Sequence, residues 1–99
     1  PQECGNKTGV RWIRVTDNRG RGFEFGGKEL SVSVLPYTPH EIDCENHPNQ
    51  LPAIHNTYVR VGLAQMGIAG DDTWGAKTHP EFMIDNSRPL ELSFSFRAI

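Results

Sequence analysis

The residues with the clearest chemical potential lie in the segment MGIAGDDTWG, residues 66–75. Its three glycines can adopt positive φ values that other residues avoid. The adjacent carboxylates Asp71 and Asp72 can accept hydrogen bonds from N–H groups of their own loop. Trp74 would then present a large flat apolar surface on a rigid polar loop. Such a surface fits the C–H face of a sugar ring, so the segment predicts a sugar-binding platform.

Each of these residues also has an alternative role. A tryptophan after a turn is typical of a buried core side chain. Two carboxyl groups about 5–5.5 Å apart could act as a retaining glycosidase pair, but adjacent side chains on an extended loop usually point apart. We therefore predict that Gly70, Asp71 and Asp72 organise the loop and that neither aspartate is catalytic. On the residues alone, Trp74 stays open between a core side chain and a sugar platform, with the core favoured.

Metal and thiol chemistry are not expected. The four histidines are His40, His47, His55 and His79. Their spacing matches no zinc-binding signature, so we predict no metal site. Cys4 and Cys44 are too few for a disulfide scaffold, and free thiols are favoured over a single bridge. Neither cysteine has a histidine partner or a nucleophile motif in the sequence, so a catalytic thiol is not predicted.

The composition is that of one small domain or part of one. The chain has 99 residues, of which 36% are hydrophobic, enough for one modest core. No apolar run approaches the ~20 residues of a membrane helix. Acidic and basic residues are mixed and the net charge is −2, so neither nucleic acid nor a membrane is a predicted partner. A chain that starts at Pro1 without a signal peptide suggests a processed or excised piece of a longer one.

Period-two patterns and β-branched residues predict about six short antiparallel strands. We expect them at residues 10–16, 21–25, 29–35, 57–65, 80–84 and 90–96. Turns are expected at 17–20 and 85–89, and a break at Gly26-Gly27. Ser31 and Ser33 alternate with aliphatic residues and should face away from the core. Trp12 is assigned to the core or to an interdomain face.

One short helix is expected near residues 38–46. Thr38 can cap it, Pro39 suits the first helical position, and Glu41 completes a capping box. Half-buried antiparallel strands need a second layer to cover their apolar side. The predicted fold class is therefore all-β, an antiparallel β-sandwich with one short helix.

Two motifs resemble the last part of the large β-galactosidases of glycoside hydrolase family 2. The first is GDDTWG at 70–75, preceded by QMG at 65–67 and followed by PEF at 80–82. The second is PQECGNKTGVRW at 1–12, which is similar to the segment that opens this region in the family. Their spacing also fits, so the resemblance covers nearly the whole chain. The opening segment departs from the family pattern at two positions. Cys4 stands where Asn is common and Gly9 where Asp is common, so two polar side chains are absent from this segment.

The resemblance implies that residues 1–99 are a single unit, a fragment of the final, C-terminal β-sandwich domain of a larger β-galactosidase. In that family the catalytic glutamates lie in a separate barrel domain, and the tryptophan of this loop reaches the mouth of its active site. Carried over to Trp74, this implies contact with the substrate. The fragment would be inactive alone, and the parent would hydrolyse terminal non-reducing β-D-galactose residues in β-galactosides such as lactose.

The same resemblance implies partners and cofactors. The partners are the catalytic barrel, other domains of the parent, the β-galactoside and further copies in a homo-oligomer. No cofactor is expected in this fragment, and Mg and Na would bind in other domains. The compartment stays open between bacterial cytoplasm and periplasm. An isolated fragment should leave part of its sheet uncovered and self-associate.

Two other functions stay open at this point. The chain could be a free-standing carbohydrate-binding module with Trp74 as its platform. It could also be a purely structural interdomain or oligomerisation domain, in which Trp74 plugs an interface. Exposure of Trp74 to solvent would argue against that last function.

Overall fold

The computed structural model describes residues 4–72 and 74–99. Its strands and helix are β1 (Lys7–Thr16), β2 (Gly22–Leu35), α1 (Pro39–Cys44), β3 (Tyr58–Gly62) and β4 (Ser95–Ala98). Two 3₁₀ turns lie at Pro48–Gln50 and Pro80–Phe82. The described strands form one antiparallel sheet. The predicted all-β class with one short helix is therefore confirmed, and the antiparallel sheet is consistent with a sandwich-like domain. Within these residues no helix has the length and apolarity to cross a membrane.

The sheet is arranged around β2, which has 14 residues. β1 runs along one edge of β2. β3 and β4 share the other edge, with β3 opposite Ser31–Leu35 and β4 opposite Phe23–Gly26. Along this shared edge, β2 therefore pairs with β4 near its N-terminal end and with β3 near its C-terminal end.

The predicted break at Gly26-Gly27 is wrong, because β2 continues through both glycines. The sheet instead changes register there: Trp12 pairs with Gly26, but Val10 pairs with Leu30. A Cβ atom on Gly27 would lie 2.7 Å from Cδ2 of Leu30. The glycine thus permits a close approach of the Leu30 side chain, and β2 continues through the irregularity in its pairing with β1.

The predicted strands near the C-terminus are only partly correct. Residues 80–84 form no strand, because Pro80 starts a 3₁₀ turn in which the N–H of Phe82 donates to the carbonyl of His79 at 2.9 Å. The strand expected at 90–96 is displaced to Ser95–Ala98, and the one expected at 57–65 is shortened to Tyr58–Gly62. An alternating pattern shows which side chains could share a face, but a strand also needs a neighbouring edge to pair with.

Local side-chain hydrogen bonds form the predicted turns. Asp17 Oδ1 accepts from the N–H groups of Arg19 and Arg21 at 2.8 and 3.0 Å. The bond from Arg21, followed by that from Arg19, lowers the pKa of Asp17. Asp85 Oδ1 similarly accepts from the hydroxyl and the N–H of Ser87, and these bonds lower the pKa of Asp85.

The helix prediction is confirmed together with its cap. Thr38 Oγ1 accepts from the N–H of Glu41 at 3.2 Å, and the N–H of Thr38 donates to Glu41 Oε2 at 2.7 Å. This reciprocal pair satisfies N–H groups that a helix start leaves without intrahelical partners. The helix is six residues long, so its position depends on packing of Ile42, which is buried.

The core lies at the β3 end of the sheet. Among the described hydrophobic side chains, Leu30, Val32 and Ile42 are buried. Ser31 and Ser33 are buried too, so the prediction that they face solvent is wrong. Ser31 is within hydrogen-bond distance of the Asn6 side chain, at 3.0 Å from Nδ2. The opening segment therefore covers the serine side of β2 and keeps a hydrogen bond there despite Cys4 and Gly9.

At the other end of the sheet, one face is charged. Glu24 binds Arg14 Nε through Oε1 and Arg97 Nε through Oε2, both at 2.8 Å. The Arg14 bond, followed by the Arg97 bond, lowers the pKa of Glu24. Trp12 lies on this face with the Arg14 guanidinium 5.6 Å from its ring centroid and is exposed, so its assignment to the core is wrong. An interdomain role for Trp12 stays a prediction.

Glu24 should give the fold a defined acid sensitivity. Its folded-state pKa is below the ordinary value of 4.5, so its stabilising effect is fully present above that pH and is lost as pH falls through the lowered value. We expect Glu24→Gln to lower the urea midpoint at pH 7 and to flatten its decrease below pH 4.5.

Glu29→Gln is the matched control, because Glu29 is exposed on the same strand and forms no ion pair within residues 4–72 and 74–99. Urea unfolding of both variants from pH 7 to pH 3 measures the effect. The prediction would be contradicted if the urea midpoint of Glu24→Gln fell between pH 7 and pH 3 by as much as that of the wild type.

Candidate functional site

The candidate site is the loop of residues 66–79, called here the Trp74 loop. It follows β3 and ends at the Pro80 turn. The Trp74 side chain is 93% exposed, so the alternative of a core position is wrong. Thr73, part of the motif, lies outside the described residues, as do Pro1, Gln2 and Glu3 of the opening motif.

Asp72 accepts hydrogen bonds from backbone N–H groups on both sides of Gly75, at the tip of the loop. Its Oδ1 atom accepts from the N–H of Trp74 at 2.8 Å and from the N–H of Ala76 at 3.3 Å. A carboxylate that accepts two N–H groups within four residues holds the chain in a turn without a sheet or helix. The backbone of Trp74 is therefore positioned by the residue two before it.

Gly70 closes the loop across its width. Its N–H donates to the carbonyl of Ala76 at 2.9 Å. A Cβ atom at this position would collide with the carbonyl oxygen of Lys77. Gly70 is thus required by this close approach, since positive φ occurs in the loop at Gly75 (129°) and not at Gly67 or Gly70.

The base of the loop is held by side chains from its far end. Asp71 Oδ1 lies 2.8 Å from His79 Nε2. The Thr78 hydroxyl lies 2.9 Å from the carbonyl oxygen of Gly67 and 3.2 Å from that of Ala69. Thr78 and His79 were not among the predicted site residues, and only their position between two loop motifs in the sequence hinted at such a role.

The two aspartates have separate partners. Asp71 faces His79, and Asp72 accepts from backbone N–H groups. Both are exposed, and no pair of carboxylates flanks a cavity beside Trp74 in the described loop. This arrangement organises the loop, in keeping with the predicted role of the two aspartates.

A second cluster lies on α1, away from the loop. Cys44 Sγ is 3.5 Å from His40 Nε2, so the expectation that neither cysteine has a histidine partner is wrong. The four-residue spacing on one helix face could have shown this. Cys4 and Cys44 are both free and exposed. Across the described residues, no group of three or more His, Cys, Asp or Glu side chains could hold a metal ion.

Two hollows among the described residues lie at β3 and just after it, and Trp74 lines neither of them. The larger, about 480 Å³, lies beneath the opening segment and includes Asn6 and Ser31 in its lining. The other, about 450 Å³, lies between Gln65 and the segment from Glu81 to Leu90. Sugar sites are usually concave and bury most of the ligand. The indole of Trp74 is exposed and lines neither of these two hollows, so residues 4–72 and 74–99 enclose no sugar beside it in either hollow.

Comparison with known families matches residues 1–97 to the family described as "Beta galactosidase small chain". A β-galactosidase of Priestia megaterium is 43% identical, over 100% of this chain and 10% of that protein. One of Halalkalibacterium halodurans is 40% identical over the same shares. A β-galactosidase small subunit of Latilactobacillus sakei is 31% identical, over 97% of this chain and 35% of that subunit. The chain thus spans about a tenth of the first two relatives. No solved structure matches it.

The geometry predicts that Asp72 controls the order of the loop tip. In Asp72→Ala, the N–H groups of Trp74 and Ala76 lose their acceptor, and we expect their hydrogen exchange to speed up about fivefold, or about 1 kcal/mol. Asp72→Asn keeps an Oδ1 acceptor and should show a smaller change. Amide-resolved hydrogen exchange by NMR measures both.

Asp71→Ala is the matched control, since it removes the neighbouring carboxylate and the His79 contact but leaves the Asp72 acceptor in place. It should leave the exchange of the Trp74 and Ala76 amides unchanged. Equal acceleration in Asp71→Ala and Asp72→Ala would show that Asp72 has no specific role at the tip.

Proposed function

Because this chain belongs to the β-galactosidase small-chain family, we propose that it works as a non-catalytic segment of a larger β-galactosidase, within the final β-sandwich domain. The reaction proposed for the whole enzyme is hydrolysis of terminal non-reducing β-D-galactose residues in β-galactosides. The activity named for relatives about ten times longer supports this reaction.

The observation that carries the proposal is the exposure of Trp74 on a loop held by its own hydrogen bonds. A 93% exposed indole buries almost none of its apolar surface in this chain. The loop nevertheless fixes its backbone through Asp72 and braces its base through Thr78. A rigid support for an uncovered aromatic ring fits a ring that binds something from outside the chain. For a β-galactosidase, the C–H face of the sugar is the matching surface.

The role of this contact is to bind and orient. The catalytic carboxylates are proposed to come from the barrel domain, and the chain would add the Trp74 wall at the mouth of that site. Binding energy from a group remote from the reacting bond can hold the glycosidic bond in its reactive position. No step of the reaction is assigned to Mg or Na, which we place in other domains. Assembly into a homo-oligomer is also part of the proposal.

The two rival functions differ in what they require of Trp74. A free-standing carbohydrate-binding module needs a concave site that holds sugar with this chain alone, and the position of Trp74 outside both described hollows disfavours it. A structural domain would insert Trp74 into a neighbouring domain. The exposure of Trp74 argues against that role within this chain, but the relatives extend far beyond the matched region, where a neighbouring domain would lie. The distinction needs a measurement on the full-length enzyme.

The kinetic consequence is specific. In the full-length enzyme, Trp74→Ala should lower kcat/KM on lactose and on an aryl β-galactoside by roughly tenfold or more, on the order of 1.4 kcal/mol. The loss follows because alanine removes the stacking surface and leaves the catalytic carboxylates in place. Steady-state kinetics of correctly folded protein measure it.

Trp12→Ala is the control, since Trp12 is the other tryptophan of the chain and lies on the charged face of the sheet. Its kinetics should match the wild type. Unchanged kinetics in a folded Trp74→Ala enzyme would contradict the platform. A wild-type enzyme without β-galactosidase activity would show that the substrate is wrong.

A further inference from the structure

The exposed side of helix α1 carries an imidazole and a thiol one helical turn apart. His40 and Cys44 are four residues apart, so their side chains lie on the same face of the helix. Cys44 Sγ lies 3.5 Å from His40 Nε2 and 3.8 Å from His40 Nδ1. Both residues are exposed, and neither contributes to the core or to the Trp74 loop.

The rest of α1 holds this pair in place. Ile42 lies about 200° around the helix axis from His40, and its side chain is buried. Glu41 is engaged in the helix cap, where its Oε2 atom accepts from the N–H and the hydroxyl of Thr38 at 2.7 and 3.0 Å. The packed side and the capped first turn therefore fix the outward direction of His40 and Cys44.

The separation of the two donor atoms matches that of ligands on one metal ion. Zn²⁺ binds thiolate sulfur at about 2.3 Å and imidazole nitrogen at about 2.0–2.1 Å, with tetrahedral angles. Two such ligands on the same ion lie about 3.6 Å apart. Sγ of Cys44 and Nε2 of His40 lie 3.5 Å apart. No movement of the helix is needed to bring the two atoms to ligand spacing.

The charge around Cys44 favours a cation. Asp43 and Glu45 flank it in the sequence, and α1 ends at Cys44, where the terminal carbonyl groups of a helix carry partial negative charge. The last turn of α1 contains no basic residue. Reactive thiolates usually lie beside a positive charge or at a helix N-terminus. The surroundings of Cys44 are the reverse, so they suit the binding of a metal ion better than attack on a substrate.

We propose that His40 and Cys44 form a binding site for a soft divalent metal ion, with Zn²⁺ as the best-matched ion. Imidazole nitrogen and thiolate sulfur select Zn²⁺ over Mg²⁺ and Ca²⁺, which prefer oxygen ligands. His40 binds through neutral Nε2, and Cys44 binds as the thiolate while its proton passes to solvent. The sequence prediction of no metal site considered the spacing between histidines and left out this His–Cys pair.

Two protein ligands make an open site. Among residues 4–72 and 74–99, no third His, Cys, Asp or Glu side chain completes a metal-binding group with them. The other two positions of a tetrahedral ion are left for water or for a ligand from outside the chain. Structural zinc sites are closed by four protein ligands, so this site holds an exchangeable ion at the surface.

Protection of Cys44 from alkylation tests the site. The full-length enzyme, in reducing buffer without added transition metal, is treated with iodoacetamide in the presence and absence of Zn²⁺, and mass spectrometry quantifies each cysteine. We expect near-saturating Zn²⁺ to slow alkylation of Cys44 roughly tenfold, because a site that is about 90% occupied leaves about a tenth of its thiol free. Mg²⁺ should have no effect. Cys4 is the internal control, since it is also free and exposed, and its alkylation rate should not change.

Substitution of the histidine tests whether the imidazole is a ligand. His40→Ala and His40→Gln should each raise the Zn²⁺ concentration for half-protection of Cys44 roughly tenfold or more. Because His40 is exposed, neither change removes a core contact. His47→Ala is the matched control, since His47 is exposed three residues beyond Cys44 but joins no metal-binding group within the described part of the chain. It should be protected like the wild type.

Three results would overturn the proposal: no protection of Cys44 up to about 1 mM Zn²⁺, equal protection in His40→Ala and His47→Ala, or equal protection of Cys4. A Cys44 that resists alkylation without Zn²⁺ would show that the pair is covered in the whole enzyme, and would overturn it too. None of these readouts uses catalysis, so failure of this inference is separate from failure of the kinetics expected for Trp74.

Discussion

The hydrogen bonding of three strands to β2 is the interaction on which the rest of this structure depends. β1 uses one edge of β2, and β3 and β4 divide the other. The Leu30 side chain lies close to Gly27, where the pairing of β2 with β1 changes register. The two ends of β2 lie in different environments. At one end, residues 30–33 of β2 are buried, and Asn6 lies within hydrogen-bond distance of Ser31. At the other end, β2 separates an apolar face from a charged one.

The position of the Trp74 loop follows from that arrangement. β3 pairs with the covered end of β2 and stops at Gly62, and the loop leaves the sheet shortly after. From there its shape is set locally, by Asp72 at the tip, Gly70 across the width and Thr78 at the base. A loop with such internal bonds can present an aromatic side chain without burying it. The chain therefore presents an exposed aromatic ring. Under the proposed function, the bond-breaking chemistry belongs to other domains.

The predictions from sequence were most accurate where adjacent residues bond to one another. Asp17 and Thr38 could be assigned to a turn and to a helix cap because their partners lie two to four residues away. Burial of Ser31 could not be predicted, since its cover comes from Asn6, 25 residues earlier. The start of β4 depends on where β2 has an unpaired edge, which alternation alone does not show.

For the Trp74 loop, the GDDTWG motif identified the residues at the tip, but Thr78 and His79 at the base of the loop were not predicted. The contact between Asp71 and His79 spans eight residues of irregular chain, and nothing in the periodicity predicts it.

A structure of the full-length enzyme with a bound non-hydrolysable β-galactoside would test the central claim most directly. The account predicts that the indole of Trp74 lies flat against the C–H face of the sugar, with carbon atoms about 4 Å apart. It also predicts that the catalytic carboxylates in that structure belong to another domain. A Trp74 side chain packed into a protein interface, with the sugar bound out of its reach, would contradict the account.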